Sequence, residues 1–333
     1  MGKKFGKTAV SLVLALAISG LMQISALAAD LIPVGKAVGI RVTIDGVMVA
    51  GISEVETAEG KCSPAAQSGV LPGDIIVKLG SEEVHCLEEF SGAAKQLTDD
   101  PISLTVLREG ERKQFTITPV LAADGRHQLG LWLRDGITGI GTVTYYDPET
   151  GVYGALGHGI NDAETGNLIP VTKGEIYDAS VVGVVKGRAG APGELTGNFD
   201  GGNVCGTVGE NTVFGIFGSY EGASDSWGQV LESAEWGEVR PGKATILSTV
   251  NGTQTQPYEI SIDRVYREGN EERFLISVTD PKLLETTGGI VQGMSGSPIL
   301  QNGKLVGAVT HVLTNDPTRG YGIFIENMLE AAG

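Results

Sequence analysis

Gly289-Ile290-Val291-Gln292-Gly293-Met294-Ser295-Gly296-Ser297-Pro298-Ile299-Leu300 is the stretch from which the rest of the chain is read. Gly293 and Gly296 bracket Ser295, and glycine takes backbone dihedrals closed to other residues, so the pattern describes a tight turn that leaves the serine hydroxyl exposed. The same turn aims the N–H groups of Gly293 and Ser295 at one point, where an oxyanion can develop. Ser297 to Leu300 then reads as an apolar strand, and Asn302-Gly303 is a strong two-residue signal for a hairpin into residues 305–309. Gly-x-Ser-Gly turns also occur as plain surface loops, so a nucleophile requires further support from the rest of the chain.

Working outward, the region before this turn is short-stranded and glycine-punctuated. Thr142-Val143-Thr144-Tyr145-Tyr146 and Val152-Tyr153-Gly154-Ala155-Leu156 read as a hairpin joined by Asp147-Pro148-Glu149-Thr150-Gly151. Residues 181–185, 212–217, 243–250, 258–265 and 272–278 also read as strands, with no long amphipathic helix between them. The run Gly187-Arg188-Ala189-Gly190-Ala191-Pro192-Gly193 lacks the Gly-Lys-Ser/Thr ending of a phosphate cradle and reads as a loop. The sum is a β domain of the barrel or double-barrel kind over residues 127–333.

The composition agrees. The chain has 333 residues, 50 of them glycine, and only 6% aromatics, which suits many tight turns between short strands. A net charge of −16 leaves no basic stripe for phosphates, so no nucleic acid is expected as a partner. At the N-terminus, Lys3, Lys4 and Lys7 precede an apolar run over residues 9–21 and the small-x-small site Ala26-Leu27-Ala28. Residues 1–28 are therefore an export signal, either cleaved or kept as a membrane anchor. Cys62, Cys86 and Cys205 are an odd number for an oxidising compartment; Cys62 and Cys86 are the pair that spacing allows, and no essential disulfide is expected. No spacing resembles a metal site, and no cofactor is expected.

Between signal and β domain lies Ser63-Pro64-Ala65-Ala66-Gln67-Ser68-Gly69-Val70-Leu71-Pro72-Gly73-Asp74-Ile75-Ile76-Val77-Lys78-Leu79-Gly80. A small-residue helical turn ended by glycine, a Pro-Gly-Asp turn and an apolar strand follow one another, and the segment resembles the core of a PDZ domain spanning residues 34–120. PDZ domains take an extended peptide by strand addition between a strand and a helix, often capturing a C-terminal carboxylate. The resemblance implies Val38, Gly39, Ile40 and Arg41 as the carboxylate loop. It implies the helical pattern Leu87, Phe90, Ala94, Leu97 as the opposite wall.

A serine hydroxyl needs a general base, and the chain has only four histidines. His85 and His127 fall in or beside the PDZ-like segment, and His311 ends the strand after the serine hairpin, where it reads as a structural hydrogen bonder. His158, between two glycines at the end of the first hairpin, is the candidate base. For the group that orients the imidazole, spacing leaves Asp162, Asp178, Asp200, Asp263 and Asp280 open, and a trypsin-like order favours Asp200.

The chain as a whole resembles the SpoIVB family of sporulation serine peptidases. The residues that carry this are Gly139-Ile140-Gly141-Thr142, Tyr153-Gly154-Ala155-Leu156-Gly157-His158, Thr279-Asp280-Pro281-Lys282-Leu283-Leu284, the serine stretch from Thr287 to Pro298, and Gly307-Ala308-Val309-Thr310-His311-Val312 with Asn315-Asp316-Pro317-Thr318. The resemblance implies a mainly β fold, a PDZ domain followed by a trypsin-like double β-barrel serine peptidase domain. It implies His158 as base, Ser295 as nucleophile and Asp280 as orienting acid, with the Gly293 and Ser295 N–H groups as oxyanion hole. It further implies a serine endopeptidase acting around the forespore on a regulator of a membrane-embedded processing complex, releasing a late sigma-factor signal and cleaving itself near the N-terminus. Two other readings compete: a silent PDZ scaffold, which would be expected to lack one of these three residues, and a general exported PDZ protease, which would carry its PDZ after the catalytic domain.

Overall fold

The computed structural model describes residues 28–199, 203–221, 227–269 and 271–333. The expected export signal lies outside them except for Ala28, and so does Asp200. Leaving aside strands of two or three residues, the chain begins with β1 (Asp30–Pro33), β2 (Ala37–Ile52), helix α1 (Pro64–Ser68), β3 (Ile75–Leu79), helix α2 (Leu87–Ala94), β4 (Ile102–Arg108) and β5 (Glu111–Ile117). It continues with β6 (Leu131–Tyr146), β7 (Val152–Ala155), β8 (Lys173–Asp178), β9 (Ser180–Val185), β10 (Glu194–Asn198), β11 (Val204–Val208) and β12 (Gly215–Ser219). The last part holds β13 (Gly242–Ser248), β14 (Gln256–Glu268), β15 (Glu271–Val278), helix α3 (Pro281–Thr287), β16 (Pro298–Gln301), β17 (Lys304–Leu313), β18 (Asp316–Phe324) and helix α4 (Ile325–Ala332).

The last six strands close into a barrel in the order β13-β14-β15-β18-β17-β16. Closure leaves no free edge, and the inward apolar residues of every strand meet in one core around Ile246, Ile260, Phe274, Ile276, Ile299 and Phe324. The Asn302-Gly303 hairpin between β16 and β17 forms as the sequence demands, with φ of 53° and 81° at its two residues.

The rest of the sheet structure is organised differently. β2 and β6, each 16 residues long, run antiparallel to one another along most of their lengths. The first half of β2 is flanked by β6 and β8. Its second half pairs with the start of β6 and, through Val47 and Met48, with β3. The strand turns from one set of neighbours to the other at Gly46, where φ is +128° and a Cβ would sit 2.7 Å from the Ile75 side chain. A single 13-stranded sheet therefore carries both β3, β4 and β5 of the PDZ-like unit and β7, β8 and β12 of the peptidase unit.

Three expectations change with this topology. Val38, Gly39, Ile40 and Arg41 are not a carboxylate loop. They are mid-strand, with Val38 facing Gly141 on one side and Asp178 on the other, so their backbone groups have no side left for a peptide. The PDZ-like unit does not simply precede the peptidase: β1 and the first half of β2 pair with peptidase strands, so the unit is set into the peptidase sheet. Among the described residues one barrel closes, not two; the half that holds His158 is the open sheet. The architecture is otherwise as read, mainly β with a PDZ-like unit and a second unit that contains a closed barrel. Cys62, Cys86 and Cys205 are all free thiols.

Two apolar clusters fix the PDZ-like unit. One is its own core, including Val47, Ile76, Leu79, Phe90, Leu104 and Val106. The other lies on its peptidase side, where Ile44, Met48, Ile75 and Val77 surround Ile169, from the loop that follows His158.

Candidate active site

The serine turn is built by the barrel. Gly293 and Gly296 both have φ of +95°. A Cβ on Gly296 would lie 2.1 Å from the Thr142 carbonyl oxygen, so only glycine lets β6 approach this closely. Thr142 fastens that approach, its N–H donating to the Ser295 carbonyl at 3.1 Å and its Oγ1 to the Gly293 carbonyl at 2.7 Å. The Gln292 carbonyl accepts from Leu195 N–H and the Met294 carbonyl accepts from Ser297 N–H, both at 2.9 Å. In a trans peptide the N–H points opposite to the C=O, so the Gly293 and Ser295 N–H groups are turned the other way. Neither donates to any group among the described residues. The glycine-rich run at 187–193 is a loop, as expected, and Gly193 holds the turn by accepting from Gln292 N–H at 2.8 Å.

His158 arrives from the open sheet. Leu156, which precedes it by two residues, takes a left-handed φ of +71° while buried. A branched, non-glycine residue held there stores backbone strain that surrounding structure must hold. Here the hold comes from Thr142, whose carbonyl accepts the Leu156 N–H at 3.1 Å, and from the barrel: a Cβ on Gly157 would lie 3.1 to 3.3 Å from Thr310, Ala308 and Ile323. The His158 Nδ1 sits 2.9 Å from the Gly159 carbonyl, which can only accept, so Nδ1 carries the proton and Nε2 is the free base nitrogen. Burial lowers the His158 pKa from its ordinary value, opposed by the Gly159 carbonyl, so the ring is neutral at neutral pH.

His158 and Ser295 line one cleft of about 490 Å³, with Gly293, Thr310, His311 and apolar walls from Ile40, Ile140 and Val291. In this state the Ser295 hydroxyl donates to the Thr310 carbonyl at 2.6 Å. His311, read from sequence as a structural hydrogen bonder, instead faces the cleft with its ring centre 4.8 Å from that of His158. Burial pushes its pKa down, and His158 and Arg273 push it further, although the residue as a whole is exposed. Only a residue-by-residue count of β17 places it there: Ser295 rests on Thr310, and His311 is next.

The structure does not bring Asp280 to His158. Asp280 is the N-cap of α3, with one carboxylate oxygen accepting from Leu283 N–H at 3.0 Å and the other from Glu259 N–H at 3.3 Å. An aspartate directly before a proline and a helix is a strong N-cap signal, and that local chemistry claims the side chain. The other described candidates are engaged as well. Asp178 pairs with Lys36, Asp263 accepts from Ser277, and the buried Asp162 pairs with Arg134. Among the described residues, the group that orients His158 is the Gly159 carbonyl.

A second cleft, of about 700 Å³, lies in the PDZ-like unit. Leu87, Phe90 and Ala94 of α2 form one wall, as expected, and Leu129, Gly130, Leu131 and Leu133 the other. The first residues of β6 pair with β2 on one flank and face this cleft on the other. The sequence signal for this wall, Gln128-Leu129-Gly130-Leu131, resembles Val38-Gly39-Ile40 but falls beyond residue 120.

Two family models match the chain. The PDZ domain family matches residues 39–118, and the SpoIVB peptidase S55 family matches residues 125–329. No relative among curated proteins matches the chain. Among solved structures, the inactive form of the Rv3671c protease is 14% identical over 59% of this chain and 85% of its own, with a TM-score of 0.34. A serine-to-alanine mutant of Rv3671c from M. tuberculosis H37Rv is 13% identical over 59% of this chain and 82% of its own, with a TM-score of 0.33. The HtrA-type protease AlgW with a decapeptide is 10% identical over 90% of this chain and 64% of its own, with a TM-score of 0.37. Because its peptidase match covers most of the chain beyond the PDZ domain, this chain belongs to the SpoIVB peptidase S55 family and is a serine peptidase.

Proposed function

We propose that the chain is an exported serine endopeptidase in which Ser295 is the nucleophile and His158 Nε2 the general base. The observation that carries this is the single cleft holding both side chains beside the uncommitted N–H groups of Gly293 and Ser295. The reaction starts when Ser295 rotates off the Thr310 carbonyl. Its Oγ attacks the scissile carbonyl carbon while its proton passes to His158 Nε2. The Gly293 and Ser295 N–H groups receive the oxyanion, a contribution of roughly 3 kcal/mol per donor in measured peptidases. The C–N bond then breaks as His158 returns the proton to the leaving amine, and water resolves the acyl-enzyme by the same route. The Gly159 carbonyl, in place of a third carboxylate, keeps the Nδ1 proton where the mechanism needs it.

For the biological role, we infer the one that the family resemblance implies. The enzyme is carried across the cytoplasmic membrane by residues 1–28, is released or stays tethered there, and acts around the forespore. It cleaves a regulator of a membrane-embedded processing complex, and itself, in signalling to a late sigma factor. The cleft between α2 and residues 129–133 takes an extended peptide or C-terminal tail by strand addition.

The test is to express the chain from Ala29 beside Ser295→Ala and His158→Ala and to follow intact mass over hours, alone and with candidate regulator ectodomains. Shortening of only the native chain or its substrate is the expected result. Cleavage at the native rate by Ser295→Ala refutes the mechanism, and cleavage of unrelated proteins as readily as the regulator refutes the role.

A further inference from the structure

His311 has no part in the mechanism above, yet it shares the cleft with the base. We propose that His158 and His311 together bind a late first-row divalent cation, zinc above all, and that the ion holds the peptidase off. Their ring centres lie 4.8 Å apart. Two imidazoles bound at about 2.0–2.1 Å to one tetrahedral zinc ion put their ring centres about 5 Å apart. The orientation of His158 also suits a metal ligand: Nδ1–H donates to the Gly159 carbonyl, the outer-shell arrangement that fixes a ligating histidine and leaves Nε2 for the ion. His311 has no hydrogen-bond partner on either ring nitrogen among the described residues, so nothing competes for it.

The cleft decides which ion. Its lining holds two imidazoles and the neutral side-chain oxygens of Asn161, Gln292, Ser295, Thr310 and Thr314, with no carboxylate. Imidazole without carboxylate selects zinc, copper or nickel over magnesium and calcium. Water from the open cleft completes the coordination. The ion is an inhibitor, not a cofactor, because it occupies the nitrogen that must accept the Ser295 proton. Binding rests on geometry alone; inhibition rests also on the reading of His158 as base.

The experiment separates the two. Tag-free Ser295→Ala protein and Ser295→Ala/His311→Gln protein are titrated with zinc chloride alone by calorimetry, with magnesium chloride as control. His311 is solvent-exposed, and unchanged thermal unfolding checks that the second variant is folded. Loss of this ligand is expected to weaken zinc binding by at least about tenfold, and magnesium is expected to give no binding. Equal zinc affinity in both proteins places the ion elsewhere and overturns the site. In the active chain, the rate with zinc is divided by each variant's own zinc-free rate. Zinc is expected to stop the native chain, a chelator to restore it, and His311→Gln to keep a much larger fraction of its own rate. Equal fractional inhibition of both overturns the switch, while the calorimetry still reports on the site if no substrate is cleaved.

Discussion

The two halves of the peptidase reach the same cleft by different constructions. The Ser295 half is a closed barrel whose core takes in Ala37, Val181 and Leu195 from the other half. The His158 half is an open sheet that borrows its strands from a continuous sheet running into the PDZ domain, and the loop after His158 is buried against that domain through Ile169. Arg134, on the PDZ end of β6, pairs with Asp162, four residues beyond the base, and Asp162 is 1% exposed. The same β6 then carries Thr142, which fastens the serine turn. Ser295 thus rides on a closed barrel that β6 fastens from outside, whereas the loop after His158 also leans on the PDZ domain. A closed barrel can be rigid alone; an open sheet depends on whatever covers its edge and its loops.

The largest effect is expected at Ser295. Ser295→Ala is expected to leave the thermal unfolding of the barrel unchanged and to lower kcat by roughly six orders of magnitude, the scale seen when a peptidase loses its serine. A variant that unfolds early shows that the turn is not preset.

The His158 half is tested at Arg134. Arg134→Met leaves the Asp162 carboxylate buried without its cation, which costs about 3–5 kcal/mol. Both stability in urea and kcat are expected to fall. Adding Asp162→Asn removes the buried charge and still accepts from the Glu164 and Thr165 N–H groups that Asp162 now serves, so most of the loss is expected to return. A single variant as stable and active as the native chain breaks the link between PDZ domain and base.

Asp280 offers a smaller effect with a clear split. As an N-cap it is replaceable by asparagine, so Asp280→Asn is expected to be nearly neutral and Asp280→Ala to cost about 1 kcal/mol in urea melts. An orienting acid behaves otherwise, because its asparagine variant loses about four orders of magnitude in kcat with the geometry intact. That outcome restores Asp280 to a triad and displaces the Gly159 carbonyl.

The smallest effect concerns pH. The base works as the neutral ring, so kcat/KM rises as the imidazolium loses its proton. Burial sets that loss below the ordinary 6.5 of histidine, and the neighbouring His311 is lowered in the same direction. The acidic limb of the kcat/KM profile at constant ionic strength is therefore expected below pH 6.5; a midpoint at or above it shows that the resting burial of His158 is not kept in the working enzyme.

Much of this molecule is legible in its sequence. The serine turn, the hairpin at Asn302-Gly303, the helical turn closed by Gly69 and the amphipathic α2 are all written in local rules: glycine dihedrals, two-residue turns, helical spacing. His158 stands out by elimination among four histidines, and it lines the same cleft as Ser295. The errors share one cause. Val38, Gly39, Ile40 and Arg41 look like a carboxylate loop locally, and Asp280 looks like a triad member by resemblance. What each residue does depends on partners distant in sequence or on a helix that claims the side chain first.

Local rules in the chain thus account for the elements, the turns and the two candidate side chains, Ser295 and His158, because each rests on the backbone preferences of a few adjacent residues or on a short supply of alternatives. That one strand serves two units, that the second wall of the larger cleft lies past residue 120, that the Gly159 carbonyl orients His158 and that His311 stands beside it are all matters of tertiary contact. Those outcomes depend on strand register and on which side chains meet across a sheet, and pairing between distant segments leaves no periodicity in the chain to be read.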